Sequence, residues 1–408
     1  MHTRSATFGS ILSFLLIFPG LTSIHAAERP QLISVSAGKL DRPETVVQLP
    51  VPAEFPRAGH LTGLGGDTIP FQVDDQGRAV FVMRNLRAGV TRTLKVVGYE
   101  EGKKRENSIL VARSGNKLLF DQGGERVFEY QAEPGELPRP DIKRLFTRGG
   151  YLHPVMSPAG RLVTDDFPTN HVHHHGIWFP WTKTEFEGRH PDFWNMGDGT
   201  GKVEFESLES SWSGPVHGGF VAHHRFVDLT APEPKVALNE TWRVTLYDAG
   251  HRRRPYRVFD MVSTQTCATA SPLILPEYRY GGLGFRGNGS WDGAANAFFL
   301  TSEGETDRVK GHATRGRWCH IGGKVDGEWT GIAILCHPDN FRAPQPMRIH
   351  PTEPFFNFAP SQAGDWEIRP GQEYVSKYRF VVLDGKPDKA LLDQLWDDYA
   401  VPVEVTLK

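Results

Sequence analysis

Short alternations of apolar and polar residues recur along almost the whole chain. Segments such as AVFVMRNL, TRTLKVVGY, KVEFESL, ETWRVTLYD and SKYRFVVLD alternate in this way, are rich in β-branched and aromatic residues, and are bounded by Gly, Pro, Asn or Asp. A period of two places successive side chains on opposite faces of a β-strand. The pattern therefore predicts an all-β protein.

One segment has helical spacing instead. In KPDKALLDQLWDDYAV the apolar residues Leu391, Leu392, Leu395, Trp396 and Tyr399 recur every three or four positions after a Pro-Asp start. Such a stripe is typical of an amphipathic helix. We expect a short C-terminal helix that packs against a sheet.

The chain of 408 residues is long enough for two domains. Residues 28–105 contain several short strand patterns and have the size of an immunoglobulin-like β module, although they fit equally well as the first strands of one large sandwich. From residue 106 to residue 408 strand patterns continue without a low-complexity linker. This part predicts one large antiparallel sandwich.

The first thirty residues have the features of a secretory signal. Arg4 precedes an apolar run from Ile11 to Phe18, and small residues follow at Ala26 and Ala27. The apolar run is too short to span a bilayer. We expect a signal peptide over residues 1–26, a periplasmic or extracellular mature protein, and no membrane association after cleavage.

The charge of the chain bears on its binding partners, and its cysteine content bears on disulfide bonds. A net charge of −2 with both signs mixed along the chain argues against nucleic acid as a partner. Three cysteines are too few for a disulfide framework. If Asp326 and Gly327 form a two-residue hairpin turn, Cys319 faces Ile334 and is only diagonal to Cys336, so buried free thiols are expected rather than a disulfide.

The segment HVHHHGIW contains the densest group of ionisable residues. Extended as a strand, it would place His171, His173 and His175 on one face and His174 on the other. Imidazoles at alternate positions can share a metal ion or transfer protons, so His171 and His173 are candidate metal ligands or acid/base groups. A polar strand without function is the alternative. The segment does not match the usual cupin pattern, because Ile177 and Trp178 stand where that pattern has Glu.

Aromatic residues follow the histidines closely. Flat aromatic faces beside polar groups suit the C–H faces of sugar rings, although core packing is the other explanation for them. The residues are Trp178, Phe179, Trp181, Phe186, Phe193 and Trp194.

A second candidate cluster is LPEYRYGGLGFRG. Glu277 lies between aromatic and basic residues, including Arg279 and Arg286, which would orient a carboxylate and set its pKa. A structural Glu–Arg pair is the alternative. His153 and Arg342 lie near proline at strand ends, where a cleft could collect them.

These motifs resemble the PmoA-like family of unknown function. The run GYLHPVMSPAGRLVTDDFPTNHVHHHGIW, the later EYRYGGLGFRG and HPDNFRAP carry the resemblance, which covers about residues 110 to 390. It departs at Asn170, where that family has Asp, and at His175, where it has Arg. The resemblance implies family-typical residues at His153, His171, His173, His174, Trp178, Trp194, Glu277 and Arg286.

At the level of fold, the chain looks like the large β-sandwich of galactose mutarotases and several polysaccharide lyases. In that architecture substrate lies across a concave sheet, with His as acid and a carboxylate as base. Likeness of fold does not by itself identify a reaction.

The leading hypothesis is a secreted carbohydrate-active enzyme with His/Glu acid/base chemistry on a sugar or uronic acid, as an epimerase, lyase or hydrolase. The catalytic candidates are His171, His173 and Glu277. The substrate-binding candidates are His153, His174, His175, Trp178, Trp194, Arg286 and Arg342. One alternative is a non-catalytic glycan-binding protein. The other is a metal-dependent enzyme in which His171 and His173 hold a divalent metal ion as the cofactor.

Overall fold

The computed structural model describes residues 1, 31–99, 107–250 and 256–408. Apart from Met1, the predicted signal peptide lies outside the described residues, and so does the predicted domain boundary near residue 105. No helix in the described ranges is long and apolar enough to cross a membrane.

Strands make up most of the regular structure, which confirms the predicted all-β class. In chain order they are β1 (Leu32–Ser36), β2 (Arg42–Pro50), β3 (Ala58–Thr62), β4 (Thr68–Val73), β5 (Arg78–Leu86), β6 (Thr91–Gly98), β7 (Ile109–Ser114), β8 (Lys117–Gln122), β9 (Glu125–Gln131), β10 (Tyr151–Val155), β11 (Ile177–Trp178), β12 (Gly201–Trp212), β13 (His217–Asp228), β14 (Lys235–Gly250), β15 (Tyr256–Cys267), β16 (Leu273–Leu275), β17 (Gly284–Arg286), β18 (Ala297–Thr301), β19 (Trp318–Val325), β20 (Glu328–Cys336), β21 (Met347–Ile349), β22 (Phe355–Phe358), β23 (Trp366–Ile368), β24 (Tyr374–Asp384) and β25 (Glu404–Leu407). The α-helices are α1 (Arg308–Gly311) and α2 (Lys389–Ala400).

Two eight-stranded antiparallel sheets form the body. One has the order β21-β22-β17-β11-β10-β9-β8-β7, and the other has the order β12-β13-β14-β15-β24-β20-β19-β18. Side chains from both sheets, such as Phe128 and Phe285 from the first and Phe259 and Phe380 from the second, share one large apolar core. The predicted large antiparallel sandwich is confirmed. We call the first of these sheets the site sheet.

The N-terminal strands form a third sheet of seven strands, in the order β2-β5-β4-β3-β6-β1-β25. Its end strands β2 and β25 come into contact, so the sheet curls around its own core. Its last member, β25, comes from the end of the chain and pairs with β1, with Val35 opposite Val405.

Helix α2 forms as the pattern predicts. The side chain of Asp388 accepts hydrogen bonds from the backbone N–H groups of Ala390 and Leu391, which satisfies donors that a helix start leaves free. Leu392 and Leu395 are buried in an apolar cluster with Val80 of the N-terminal sheet and with residues of the body. The helix therefore helps to join the two units.

The β19–β20 hairpin also follows the sequence. Asp326 and Gly327 both have positive φ, as a two-residue hairpin turn requires. Cys319 pairs with Ile334, and Cys319 and Cys336 are buried free thiols. The predicted register is confirmed.

The outer face of the site sheet is aromatic and charged where its inner face is apolar. Strand alternation sends Ile177 and Phe356 into the core, while their neighbours Trp178 and Phe355 point outward into a small aromatic cluster. Gly284 pairs with Trp178 across the strands, and a Cβ at Gly284 would lie 3.2 Å from the indole ring. Glycine there leaves room for Trp178 to lie flat on the sheet.

Candidate functional site

A cavity of about 140 Å³ opens above this outward-facing aromatic cluster. Four of its lining side chains are imidazoles and two are guanidinium groups. The lining residues are His171, His173, His174, Trp194, Asn195, Arg279, Tyr280, Arg348, His350 and Phe355. The cavity therefore collects several residues that lie far apart in the sequence.

The histidine segment is not the strand that its sequence predicted. The N–H of His171 donates to the carbonyl of Pro168 at 3.1 Å, and the N–H of His174 donates to that of His171 at 2.8 Å. Two consecutive turns replace the extended conformation, so alternation between faces does not apply. His174 consequently joins His171 and His173 at the cavity, and the predicted grouping of His175 with them is wrong.

The three cavity histidines pack against one another. The rings of His171 and His174 stack with centroids 4.7 Å apart, and the ring of His173 lies 4.7 Å from that of His174. On its other side His174 stacks on Phe355 at 4.9 Å. Aromatic packing therefore holds His174 in one orientation.

Burial keeps these imidazoles neutral. Loss of solvent lowers the pKa of His171, that of His174 falls well below its usual value for the same reason, and that of His173 falls to about 4. Burial, helped by nearby Arg348, lowers the pKa of His350 to about 4. A neutral imidazole has a free lone pair, which is the form that binds metal ions.

A carboxylate that sequence reasoning missed completes the cluster. Oε2 of Glu353 lies 3.1 Å from Nδ1 of His171 and accepts a hydrogen bond of 2.9 Å from Nη1 of Arg286. The candidate ligand atoms of His171, His174 and Glu353 all lie within 4.8 Å of one another. We call these three residues the His–His–Glu cluster.

The His–His–Glu cluster has the donors that a metal site needs. Nδ1 of His171 and Nδ1 of His174 are buried and have no hydrogen-bond partner among the described residues. The contact from His171 to Glu353 is short but lacks hydrogen-bond geometry. Ligands bound to one zinc ion at about 2.1 Å lie about 3.4 Å apart, so small side-chain rotations would bring all three onto one ion.

Arg286 supports this cluster from beneath and does not face the cavity. Its side chain is fully buried and donates to Glu353, to Asp292 at 2.8 Å and to Asn170 at 3.2 Å. Arg286 does not line the cavity, so the structure does not place it as a direct substrate anchor there. It orients the Glu353 carboxylate instead.

Trp178 is likewise a support. It is 0% exposed and its ring lies 5.3 Å from those of His174 and Trp194. Trp178 does not line the cavity, so the structure does not place it as a stacking platform there. Trp194 lines the cavity but is only 1% exposed.

Two further predicted residues lie behind the cavity. His175 is fully buried, and its Nδ1 lies 2.6 Å from Oδ1 of Asp166. Nδ1 of His153 lies 2.9 Å from the hydroxyl of Thr164. Burial lowers the pKa of both histidines. Neither His175 nor His153 lines the cavity, so both are placed to support it rather than to touch a ligand there.

Glu277 and Arg342 lie outside the cavity lining. Glu277 is exposed; its N–H donates to Asp365 and its carbonyl accepts from Lys183. Arg342 donates to the carbonyls of Pro360 and Gly364 and so fixes a loop. The structure therefore does not bring Glu277 to His171 and His173, and Glu353 is the carboxylate in that position.

The missed residues had a local signal. His350 and Glu353 lie in RIHPTEPFF, where a histidine stands next to proline at the end of a short strand pattern, the same kind of position as that of His153. Arg348 is the outward-facing residue of β21 between buried Met347 and Ile349. Only the strand order brings this segment beside His171.

Comparison with known proteins identifies a family for this chain. No curated protein matches the chain. The model of a family of unknown function, DUF6807, matches residues 117–397, a range that contains the whole sandwich site but not the N-terminal sheet. The chain therefore belongs to the family of unknown function DUF6807.

Proposed function

We propose that the chain is a divalent-metal-dependent enzyme that acts on a small acidic carbohydrate at the His–His–Glu cluster. The observation that carries this proposal is that ligand atoms of His171, His174 and Glu353 lie within 4.8 Å of one another, while Nδ1 of each histidine is buried and has no hydrogen-bond partner among the described residues. Two imidazoles and one carboxylate bind zinc or iron(II) and leave positions free for water or substrate.

The cavity walls support an acidic sugar as the substrate class. Arg348 and Arg279 provide positive charge at the cavity, and guanidinium groups bind carboxylates in bidentate geometry. Tyr280, which is half-buried and packs on the Trp194 ring at 5.0 Å, offers aromatic surface to the C–H face of a sugar ring. A uronic acid combines both features.

Each group then has a definable task. A bound divalent ion would polarise a carbonyl group or lower the pKa of a water molecule. Neutral His173 lies beside the cluster and is suited to accept a proton from the substrate, while Arg286 holds Glu353 in place. Epimerisation, elimination and hydrolysis all use these steps, and we propose one of the three.

We also propose secretion by the N-terminal signal and kinship with the PmoA-like family.

A metal-free version of the same chemistry is the second candidate. It is favoured by the 3.1 Å approach of His171 Nδ1 to Glu353 Oε2, which would let the carboxylate orient an imidazole that transfers protons directly. In this version the same three residues act without an ion.

Metal analysis of the mature protein, with turnover assays on uronic acids before and after chelation, tests the proposal. We expect one equivalent of divalent metal in the wild type and a strong loss in Glu353→Gln, with His223→Gln as a surface control. Equal metal content in wild type and Glu353→Gln would contradict the metal site. Turnover that survives complete chelation would favour the metal-free version, and binding of sugar without product would favour a glycan-binding protein.

A further inference from the structure

A second cavity, of about 150 Å³, lies on the other side of the histidine segment. Its lining includes Gln131, Thr147, Arg148, Tyr151, Asp166 and Phe167, and its rim includes the exposed residue Glu136. None of these residues lines the cavity of the His–His–Glu cluster. The two cavities are therefore separate.

Arg148 is the unusual residue of this second cavity. Its side chain is only 3% exposed, and Nη1 and Nη2 have no hydrogen-bond partner among the described residues. Its Nε donates to the carbonyl of Gly149 at 3.1 Å. Burial lowers the pKa of Arg148 to about 10, so it is a cation at neutral pH. A buried guanidinium with an unused fork is destabilising unless an acceptor fills it.

The backbone fixes Arg148 in this position. Gly149 packs so closely on the end of β9 that a Cβ there would lie 1.8 Å from the carbonyl oxygen of Ala132. Gly150 has a positive φ of 74°, and a Cβ there would lie 2.9 Å from the His224 ring. The motif Arg148-Gly149-Gly150 therefore fits only with glycine at both positions, which orients the arginine before any ligand arrives.

The nearby acids do not occupy the Arg148 fork. Asp166 accepts from the Tyr151 hydroxyl at 2.9 Å and lies 2.6 Å from Nδ1 of His175. Glu240 accepts from Ser263 and Gln265 and contacts His224. Tyr130 and Tyr151 are neutral, because burial raises the pKa of each well above its usual value. These carboxylates attract Arg148 at a distance but have other partners.

We propose that the Arg148 cavity is a second ligand site, which binds a small carboxylate through a bidentate contact with Nη1 and Nη2. The planar fork matches a carboxylate in geometry and charge. The Tyr151 and Phe167 rings supply apolar wall, and the exposed residue Glu136 also lines the cavity. This site does not depend on the metal proposal, because it shares no lining residue with the His–His–Glu cluster.

Acetate titration tests this site, with uncharged acetamide as the matched probe. The double variant Arg279→Gln/Arg348→Gln, freed of metal by chelation, serves as the starting protein, so that neither an arginine nor a metal ion in the first cavity binds acetate. We expect calorimetry to show one equivalent of acetate bound in preference to acetamide. Adding Arg148→Gln or Arg148→Lys should weaken acetate binding by at least about tenfold, because each removes the fork. Glu136→Gln, which removes a negative charge at the rim, should strengthen it slightly.

Thermal unfolding distinguishes a ligand site from a structural arginine. Arg148→Gln removes an unpaired buried cation, so we expect an unchanged or higher unfolding temperature and loss of the stabilisation that acetate gives. Unchanged acetate affinity in Arg148→Gln, or equal binding of acetamide, would overturn the proposal. A large fall in unfolding temperature without ligand would also overturn it, because the guanidinium would then be structural.

Discussion

Two of the histidine–carboxylate groups among the described residues, one in the core and one at the cavity, differ in how completely their polar atoms are paired. In the core, Nδ1 of His224 lies 3.1 Å from Glu240 and Nε2 lies 2.7 Å from the Tyr130 hydroxyl, so both ring nitrogens are paired. In the His–His–Glu cluster, by contrast, two buried ring nitrogens have no partner among the described residues.

This difference distinguishes a structural group from a functional one. Glu240 also accepts from Ser263 at 2.6 Å and from Gln265 at 2.8 Å, so nothing remains in that network for a ligand. A fully satisfied buried network stabilises a core, whereas an unsatisfied one is costly and is retained where a ligand completes it. The same reasoning applies to Arg148.

The largest effect is expected for metal binding. His171→Ala should weaken affinity for a divalent ion by at least about 100-fold, more than the 10- to 100-fold typical for outer-shell partners, because it removes a ligand. The half-buried ring contributes little packing, so the free energy of unfolding of the metal-free protein should change by less than about 1 kcal/mol. Metal titration and chemical denaturation measure the two quantities.

For the core network around Glu240 we expect the opposite result, a large loss of stability without a change in metal affinity. Glu240→Leu should reduce the free energy of unfolding by about 3 kcal/mol, because the donors of Ser263, Gln265 and His224 lose their buried acceptor. Metal affinity should stay at the wild-type value. If Glu240→Leu instead removed metal and left stability intact, the comparison between the two groups would fail.

His320 sharpens the comparison because it is a buried histidine with no carboxylate beside it. Both of its ring nitrogens lack partners within the described part of the chain, and burial lowers its pKa to about 3. The unfolded state therefore binds a proton more readily than the folded state, and stability falls as pH drops from about 6.5 towards 3.

His320→Phe should remove this pH dependence. At pH 5 the wild type loses about 2 kcal/mol to protonation of unfolded His320, and the variant should not show that loss. Chemical denaturation of both proteins at pH 7 and pH 5 measures the difference. Equal losses in the two proteins would mean that the stability change comes from other groups.

The smallest expected effect concerns the substrate. Arg348→Gln should weaken binding of a uronic acid by about tenfold, which corresponds to about 1.4 kcal/mol, and leave binding of the matching neutral sugar nearly unchanged. Calorimetry with the metal-loaded protein is the measurement. An equal loss for both sugars would show that Arg348 shapes the cavity and does not select charge.

Local patterns predicted the fold well. Alternation identified the strands, helical spacing identified α2, and the Asp326-Gly327 turn gave the register of Cys319 with Ile334. These features depend on neighbours in sequence, and that is where period and turn chemistry are informative.

The sequence predicts the site only where its residues are neighbours in the chain. The histidines from His171 to His174 were found, but their faces were assigned wrongly, because Pro168, Thr169 and Asn170 begin a turn and the strand pattern took no account of it. Glu353 was missed because its place beside His171 depends on the order of β22, β17 and β11 in the site sheet. The sequence favours Glu277 as the catalytic carboxylate because arginine and tyrosine flank it. The structure places Glu277 outside the cavity lining.

The pairing of β25 with β1 has a consequence for how the protein is made. Residues 31–99 leave the ribosome well before β25, the strand that covers their open edge, because the whole sandwich lies between them in the sequence. Until then β1 presents unpaired N–H and C=O groups to any passing strand. The N-terminal sheet is completed only after the sandwich has been synthesised, so loss of β25 would damage a part of the protein that lies about 300 residues before it in the sequence.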